Sequence, residues 1–166
     1  KPVYERKEVR FAIESDIPEA MLNGDKVQLQ QVIVNLVMNA IQALPEEDGH
    51  IRITIAEAES GYSVEVSDNG SGIPDECIDE IFEPFFTTKS SGGTGLGLPT
   101  ARRIIRAHSG KLTLKETGQS GTTFRIQLPG GTAFNTTTPN NGEPAGETAI
   151  FDTMNGGENH VRTTVN

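Results

Sequence analysis

Apolar residues fall along this chain in two rhythms. Alternation marks five stretches: Val9, Phe11 and Ile13; Ile51, Ile53 and Ile55; Tyr62, Val64 and Val66; Leu112 and Leu114; and Phe124, Ile126 and Leu128. A period of two turns one side of an extended chain to a core, so each stretch predicts a β-strand, the first ended by Asp16-Ile17-Pro18. After the first of them, Leu29, Val32, Ile33, Leu36, Val37, Ala40 and Leu44 recur at helical spacing. That spacing predicts a helix with one buried stripe, started by Asp25 three residues ahead of Gln28 and closed by Pro45. A second helix is expected from about Gly97 to His108, through Ala101, Ile104 and Ile105, stopping at Gly110. A short third one, Asp75 to about Ile81, opens after Pro74.

The order strand, helix, two strands, two helices, two strands predicts an α/β two-layer sandwich, a five-stranded mixed sheet with three helices on one face. Ser60-Gly61 and Gly118-Gln119-Ser120-Gly121 supply the tight turns. Past Pro129-Gly130-Gly131 the pattern stops, and Thr, Asn, Gly and Glu take over. Residues 1–130 are therefore expected to form the folded domain and 131–166 a polar linker or disordered tail, too polar to bury much surface. Within it only Ala149-Ile150-Phe151 offers a docking segment.

Composition narrows the function. A length of 166 residues suits one well-buried domain plus a tail. A net charge of -9 argues against a protein that binds nucleic acid through its phosphates. Cys77 is the only cysteine, which excludes an intrachain disulfide and a cysteine-rich zinc site and fits a reducing, cytoplasmic setting. No apolar run approaches the roughly 20 residues that span a bilayer. The chain opens at Lys1-Pro2-Val3-Tyr4 without an initiator Met. It reads as a piece of a longer protein, whose own membrane anchoring is a separate matter.

Chemistry gathers in four places. Asp68-Asn69-Gly70-Ser71-Gly72 puts a carboxylate at a strand end and glycines directly after it. Such a group suits a flat, amino-bearing heterocycle such as adenine, although Asp-Asn-Gly alone is also a turn signature. Asn35 and Asn39 are four apart, on one face of the first helix. They are either solvent-facing amides or oxygen donors beside a hydrated Mg2+. Phe82-Glu83-Pro84-Phe85-Phe86-Thr87-Thr88-Lys89 is too aromatic for an idle loop and suggests a hinged lid. Gly92-Gly93-Thr94-Gly95-Leu96-Gly97 then runs into a helix N-terminus, where free N–H groups and the positive end of the dipole favour phosphate.

Asn35-Leu-Val-Met-Asn39-Ala, Asp68-Asn-Gly-Ser-Gly72, Phe82 to Lys89 and Gly93-Thr-Gly-Leu-Gly-Leu98, in this order, resemble the N box, first glycine box, F box and second glycine box of the sensor histidine kinase catalytic domain. That ATP-binding domain belongs to the GHKL superfamily, and the resemblance spans about Val9 to Leu128. It implies ATP and Mg2+, with Asn39 as the metal ligand and Asn35 beside it as the second residue acting on the phosphates. It further implies that Asp68 accepts from the adenine amino group, that Gly70, Gly72, Ile73, Phe82 and Thr122 shape the base pocket, and that Thr88, Lys89, Gly93, Thr94, Gly95, Leu96, Gly97 and Leu98 form the lid and phosphate cradle.

Hydrolysing branches of the superfamily have a Glu four residues before the metal-binding Asn. Here Asn35 stands there, and an amide cannot take a proton from water. The resemblance thus implies transfer of the γ-phosphoryl group to a histidine. His50, His108 and His160 lack the acceptor context, so the acceptor is expected on a helical dimerisation domain of the parent, upstream of Lys1, with a response regulator downstream. The fragment is expected to be monomeric and the parent a homodimer. Gln42 departs from the family pattern, in which Lys or Arg is common, so that phosphate contact is either missing or supplied by Lys89, Arg102 or Arg103. A serine-phosphorylating GHKL kinase and a nucleotide-sensing module without transfer activity are the alternatives.

Overall fold

A computed structural model describes residues 9–88, 93–131, 148–152 and 159–161. In chain order the elements are β1 (Val9–Ser15), β2 (Glu19–Asn23), α1 (Lys26–Ala43), β3 (Gly49–Ala58), β4 (Gly61–Asp68), α2 (Gly97–Ala107), β5 (Lys111–Gly118), β6 (Gly121–Pro129), β7 (Thr148–Asp152) and β8 (Asn159–Val161). All five expected strands form one mixed sheet in the order β5-β6-β4-β3-β1, which β8 extends at the β1 edge. β1 and β3 run parallel, as a crossover through α1 requires, and the other neighbours are antiparallel.

Alternation decides which face of the sheet is covered. Ile51 and Ile53 of β3, Val66 of β4, Leu112 of β5 and Phe124, Ile126 and Leu128 of β6 are buried against Leu29, Val32, Leu36 and Ala40 of α1 and Ala101, Ile104 and Ile105 of α2. The intervening residues face solvent, where Glu65 of β4 accepts from Lys115 Nζ at 3.0 Å and pairs with Arg125 Nη2 at 2.7 Å. An antiparallel sheet can leave one face wet in this way, so both helices pack on the other.

Asp25 starts α1 as its sequence suggests: its Oδ1 accepts from Gln28 N–H at 3.0 Å. The reciprocal bond takes another form. Gln28 Nε2 donates to Asp25 Oδ2 at 3.1 Å, and Asp25 N–H donates instead to His108 Nε2 at 3.0 Å. His108 Nδ1 in turn lies 2.8 Å from Ile104 O. The histidine at the end of α2 thereby ties that end to the start of α1.

Three features differ from expectation. The described residues hold two α-helices, not three: the third is a single 3-10 turn, Asp75–Cys77, closed by Cys77 N–H to Pro74 O at 2.9 Å and Ile78 N–H to Asp75 O at 3.3 Å. Seven residues form too few i to i+4 bonds to offset helix nucleation, and Ile81 and Phe82 leave the turn to join the core. β2 was not anticipated, because only Ala20 and Leu22 alternate between Pro18 and Gly24. Both are buried. In the polar tail, 148–152 pairs antiparallel with β2 and 159–161 with β1. Residues 89–92 of the expected lid lie outside the described residues.

The buried stripe of α1 can be tested on one helix. Leu36 is 1% exposed and Val34 is 55% exposed. Leu36→Ala should cost about 2–5 kcal/mol of unfolding free energy, and Val34→Ala should stay within about 0.5 kcal/mol of the parent. Urea denaturation of the two variants checks this, and equal losses would mean that the stripe is wrongly assigned.

Candidate functional site

β4 ends at Asp68, and the register sets Thr122 of β6 opposite it and Thr117 of β5 opposite Thr122. Directly opposed residues share a face, so three polar side chains cross the sheet at one level. Gly70 N–H donates to Asp68 Oδ1 at 2.8 Å, and Thr122 N–H donates to the same oxygen at 3.3 Å. Burial pushes the Asp68 carboxyl above its ordinary value, opposed by these two hydrogen bonds. The group is fixed in place and short of water.

Two glycines make this arrangement possible. Gly121, at φ +116°, lets the β5–β6 hairpin close onto Asp68, where a Cβ would strike the Asp68 carbonyl. Gly72, at φ +74°, lets the loop after β4 lie on Gly118, whose carbonyl a Cβ would meet. Ile73 N–H then donates to Thr117 Oγ1 at 2.8 Å, and Thr117 Oγ1 lies 3.2 Å from Thr122 Oγ1. The same loop docks on α1: Ser71 N–H donates to Ala43 O at 3.0 Å, and a Cβ on Gly70 would lie 2.6 Å from that oxygen. Asn69 secures it to the loop before β3, with Nδ2 donating to Asp48 O at 2.8 Å and Oδ1 accepting from His50 N–H at 2.7 Å.

Between this wall and α2 lies a cavity of about 370 Å³. Asn35 and Asn39 both line it, together with Met38 and Ala43 of α1. Asn35 Nδ2 donates to Gly97 O at 3.2 Å, joining the middle of α1 to the first residue of α2. Leu96, at the start of α2, gives that helix no side-chain cap, in contrast to Asp25 of α1. The orphan N–H groups of the first turn are left for an anion. This end also lies next to Asn39, since a Cβ on Gly97 would sit 3.8 Å from Asn39 Nδ2, in ordinary contact.

Of the expected site residues, Asn35, Asn39, Asp68, Gly72, Ile73, Thr88, Gly93, Thr94, Gly95, Gly97, Leu98 and Thr122 line this one cavity. Gly70 sits just behind it against Ala43. Phe82 packs into the core, edge-on to Phe124 with ring centroids 6.2 Å apart and Arg102 5.1 Å above its face. Its contribution is to hold the loop down. Leu96 is 41% exposed and outside the lining, and Lys89 lies outside the described residues. Phe85 is 76% exposed at φ +69°, with its N–H donating to Gly95 O at 3.0 Å. A non-glycine residue in that region is strained. Sequence reasoning passed over Met38, Phe86, Pro99, Phe124 and Thr117. Met38 and Phe86 carry a signal, one at i+3 from Asn35 and the other inside the aromatic stretch, while Thr117 is found only through the strand register.

Residues 24–132 match the family of histidine kinase-, DNA gyrase B-, and HSP90-like ATPases. The chain is similar to sporulation kinase C of Bacillus subtilis (strain 168), 40% identical over 109 residues that are 66% of this chain and 25% of that protein. It thus spans about a quarter of that relative's length. Among solved structures it resembles the catalytic domain of histidine kinase ThkA at 37% identity and a TM-score of 0.66, covering 74% of this chain and 79% of that one. ThkA in complex with the response regulator protein TrrA matches at 34% identity and a TM-score of 0.62, over 74% of this chain and 34% of that one. Full-length ShkA in complex with AMPPNP matches at 29% identity and a TM-score of 0.67, over 76% of this chain and 27% of that one.

The strained electrostatics of Asp68 can be read without a ligand. Its folded value is raised, so the folded state binds more protons than the unfolded chain as pH rises from the ordinary carboxylate range through the folded value, and stability falls over that window. Asp68→Asn keeps an acceptor for both N–H groups and removes the charge. Its melting temperature at pH 7 should equal or exceed that of the parent, with the difference shrinking on acidification. A variant markedly less stable at pH 7 would contradict the assigned environment.

Proposed function

The chain belongs to the family of histidine kinase-, DNA gyrase B-, and HSP90-like ATPases, and we propose on that footing that its cavity binds ATP with Mg2+ for phosphoryl transfer to a histidine of another domain. One observation carries this reading. A single cavity is lined by a desolvated carboxylate, by the first residues of a helix without a side-chain cap, and by two amides that lie next to that helix end. A purine amino group fits the first and a polyphosphate the second. The volume, about 370 Å³, is in the range of small-molecule sites.

The roles follow from position. Asp68 Oδ1 is occupied by two N–H donors, which leaves Oδ2 to accept from the base, with Gly70, Gly72, Ile73 and Thr122 around it and Phe82 supporting the loop from the core. Gly93, Thr94, Gly95, Gly97 and Leu98 wrap the phosphates, and Thr88 and Lys89 close over them as the lid, with Leu96 at its hinge. Among the described residues no three His, Cys, Asp or Glu side chains converge as a metal site. Asn39 lines the cavity and would offer an amide oxygen to a cation that keeps most of its ligands as water and phosphate oxygen, which suits Mg2+. When bound, that ion would neutralise charge on the transferring group.

In the transfer the bond from the γ-phosphorus to the bridging oxygen breaks, a bond to an imidazole nitrogen forms, and ADP leaves. Asn35 has no proton-accepting group at neutral pH, so this chain positions and does not activate water. The acceptor histidine belongs to a helical dimerisation domain of the parent, and a response regulator takes the phosphoryl group next. In this reading residues 1–130 are the catalytic unit and 131–166 a following segment. The fragment is monomeric within a homodimeric parent and works in the cytoplasm; no described helix is long and apolar enough to cross a membrane.

Incubation with γ-labelled ATP and Mg2+ tests this. The chain alone should stay unlabelled and should label a separately prepared acceptor-helix domain on histidine, as an acid-labile product. Asn39→Ala should lower that transfer by at least about tenfold while nucleotide binding persists, whereas Asp68→Ala should lose binding. Label on the chain itself, or acid-stable phosphoserine on the partner, would overturn the proposal.

A further inference from the structure

Asn69 follows Asp68 in the chain but does not line the cavity. Its side chain is engaged instead with the turn that enters β3. Oδ1 accepts from His50 N–H at 2.7 Å, and Nδ2 donates to Asp48 O at 2.8 Å and lies 3.0 Å from His50 Nδ1. A main-chain N–H only donates and a carbonyl only accepts, so these two partners leave the carboxamide one orientation. Its nitrogen can only donate, which makes His50 Nδ1 the acceptor in the third bond. Asn69 N–H adds a main-chain bond to His50 O at 3.3 Å, carrying the β3–β4 ladder one residue past Asp68.

This anchor bears on Asp68 through the next peptide group. Gly70 N–H, which donates to Asp68 Oδ1 at 2.8 Å, belongs to the peptide that begins at Asn69. One residue on, Ser71 N–H donates to Ala43 O at 3.0 Å. The loop is thus tied to β3 on one side of the Gly70 N–H and to α1 on the other. We infer that Asn69 is a positioning residue for the base: by holding the peptide between residues 69 and 70, it aims Gly70 N–H at Asp68 and fixes the carboxylate that the adenine amino group would meet. The inference rests on the nucleotide reading above. The anchor needs two donors and an acceptor on a short side chain, which the carboxamide of Asn supplies and Asp, Ser and Ala do not. Without it the peptide can turn, and the carboxylate loses the nearer of its two donors. Only Thr122 N–H, at 3.3 Å, would then hold Oδ1.

Two measurements on the whole chain test this, and the first needs no nucleotide. In Asn69→Ala the Gly70 amide proton should move upfield in NMR spectra and exchange faster with solvent, while the amides of residues 62–66 in β4 keep their rates. The second is isothermal titration with Mg-ATP and with the Mg2+ complex of purine riboside triphosphate, which lacks the 6-amino group. The parent should favour ATP by at least about tenfold, as a hydrogen bond to a charged group implies. Asn69→Ala should weaken ATP by about tenfold and leave the other nucleotide within about twofold of the parent, so that the preference disappears. A merely structural role would weaken both nucleotides together and speed exchange along β4. Thermal unfolding confirms that the variant folds; Asn69→Asp, which keeps the acceptor and removes both donors, takes its place if it does not. An unmoved Gly70 amide, or an intact preference for ATP in the variant, would overturn the inference alone. Absence of saturable ATP binding by the parent, or equal affinities for the two nucleotides, would overturn the nucleotide reading and the inference with it.

Discussion

Two backbone N–H groups converge on one carboxylate oxygen at the end of a central strand, and most of the site is arranged so that they can. The donors come from Gly70, two residues on in the chain, and from Thr122, on the next strand. Local sequence supplies the first, and β4–β6 pairing supplies the second. A buried carboxylate is costly unless its lone pairs are met. The converging donors reduce that cost without removing it, so Asp68 keeps a raised proton affinity. Its second oxygen can therefore gain from a ligand what solvent no longer provides. On the proposed function, that uncompensated cost is what the amino group of a base would relieve.

The helices are held to a matching tolerance. α1 and α2 share the apolar layer over the sheet, but hydrophobic contact is not directional and leaves sliding open. Two polar ties at separate points remove that freedom. Asn35 meets Gly97 at the start of α2, and His108 at its end meets the first turn of α1 through Asp25 N–H. The uncapped N-terminus of α2 is thus set opposite Asn39 by bonds at both ends of the helix. Each tie uses a backbone group as one partner, so each depends on the fold and on a single side chain, Asn35 for one and His108 for the other.

Much of this was legible in the residue pattern. The five alternating stretches and the long amphipathic run became β1, β3, β4, β5, β6 and α1, because a period of two or of 3.6 sustained over several turns leaves little choice of structure. The Asp25 cap was readable for the same local reason. Short signals were uneven. Two alternating residues revealed β5 but not β2, which lies between Pro18 and Gly24, and the segment after Pro74 had too few residues to nucleate a helix, so tertiary contacts at Ile81 and Phe82 decided its course. In the site, Asn35, Asn39, Asp68 and Gly97 were visible as motif residues, and the structure brings them round one cavity. Phe82 is outside the cavity lining and packs on Phe124 in the core. Thr117 was not legible as a neighbour of the site, since it stands opposite Thr122 across a hairpin and next to Ile73 across a loop.

The identity of residue 35 joins structure to chemistry. Its nitrogen donates to the Gly97 carbonyl, a partner that can only accept. A carboxylate in that position has no proton to offer at neutral pH and would set two acceptors against each other, loosening the start of α2, where the proposed function puts the phosphates. The tie therefore requires a donor, and here an amide supplies it. An amide cannot draw a proton from water, so the residue that aligns the phosphate end also leaves the site without a base for hydrolysis. On the proposed function these are one requirement seen twice. The side chain that would hold the phosphate end in place is one that cannot take a proton from water.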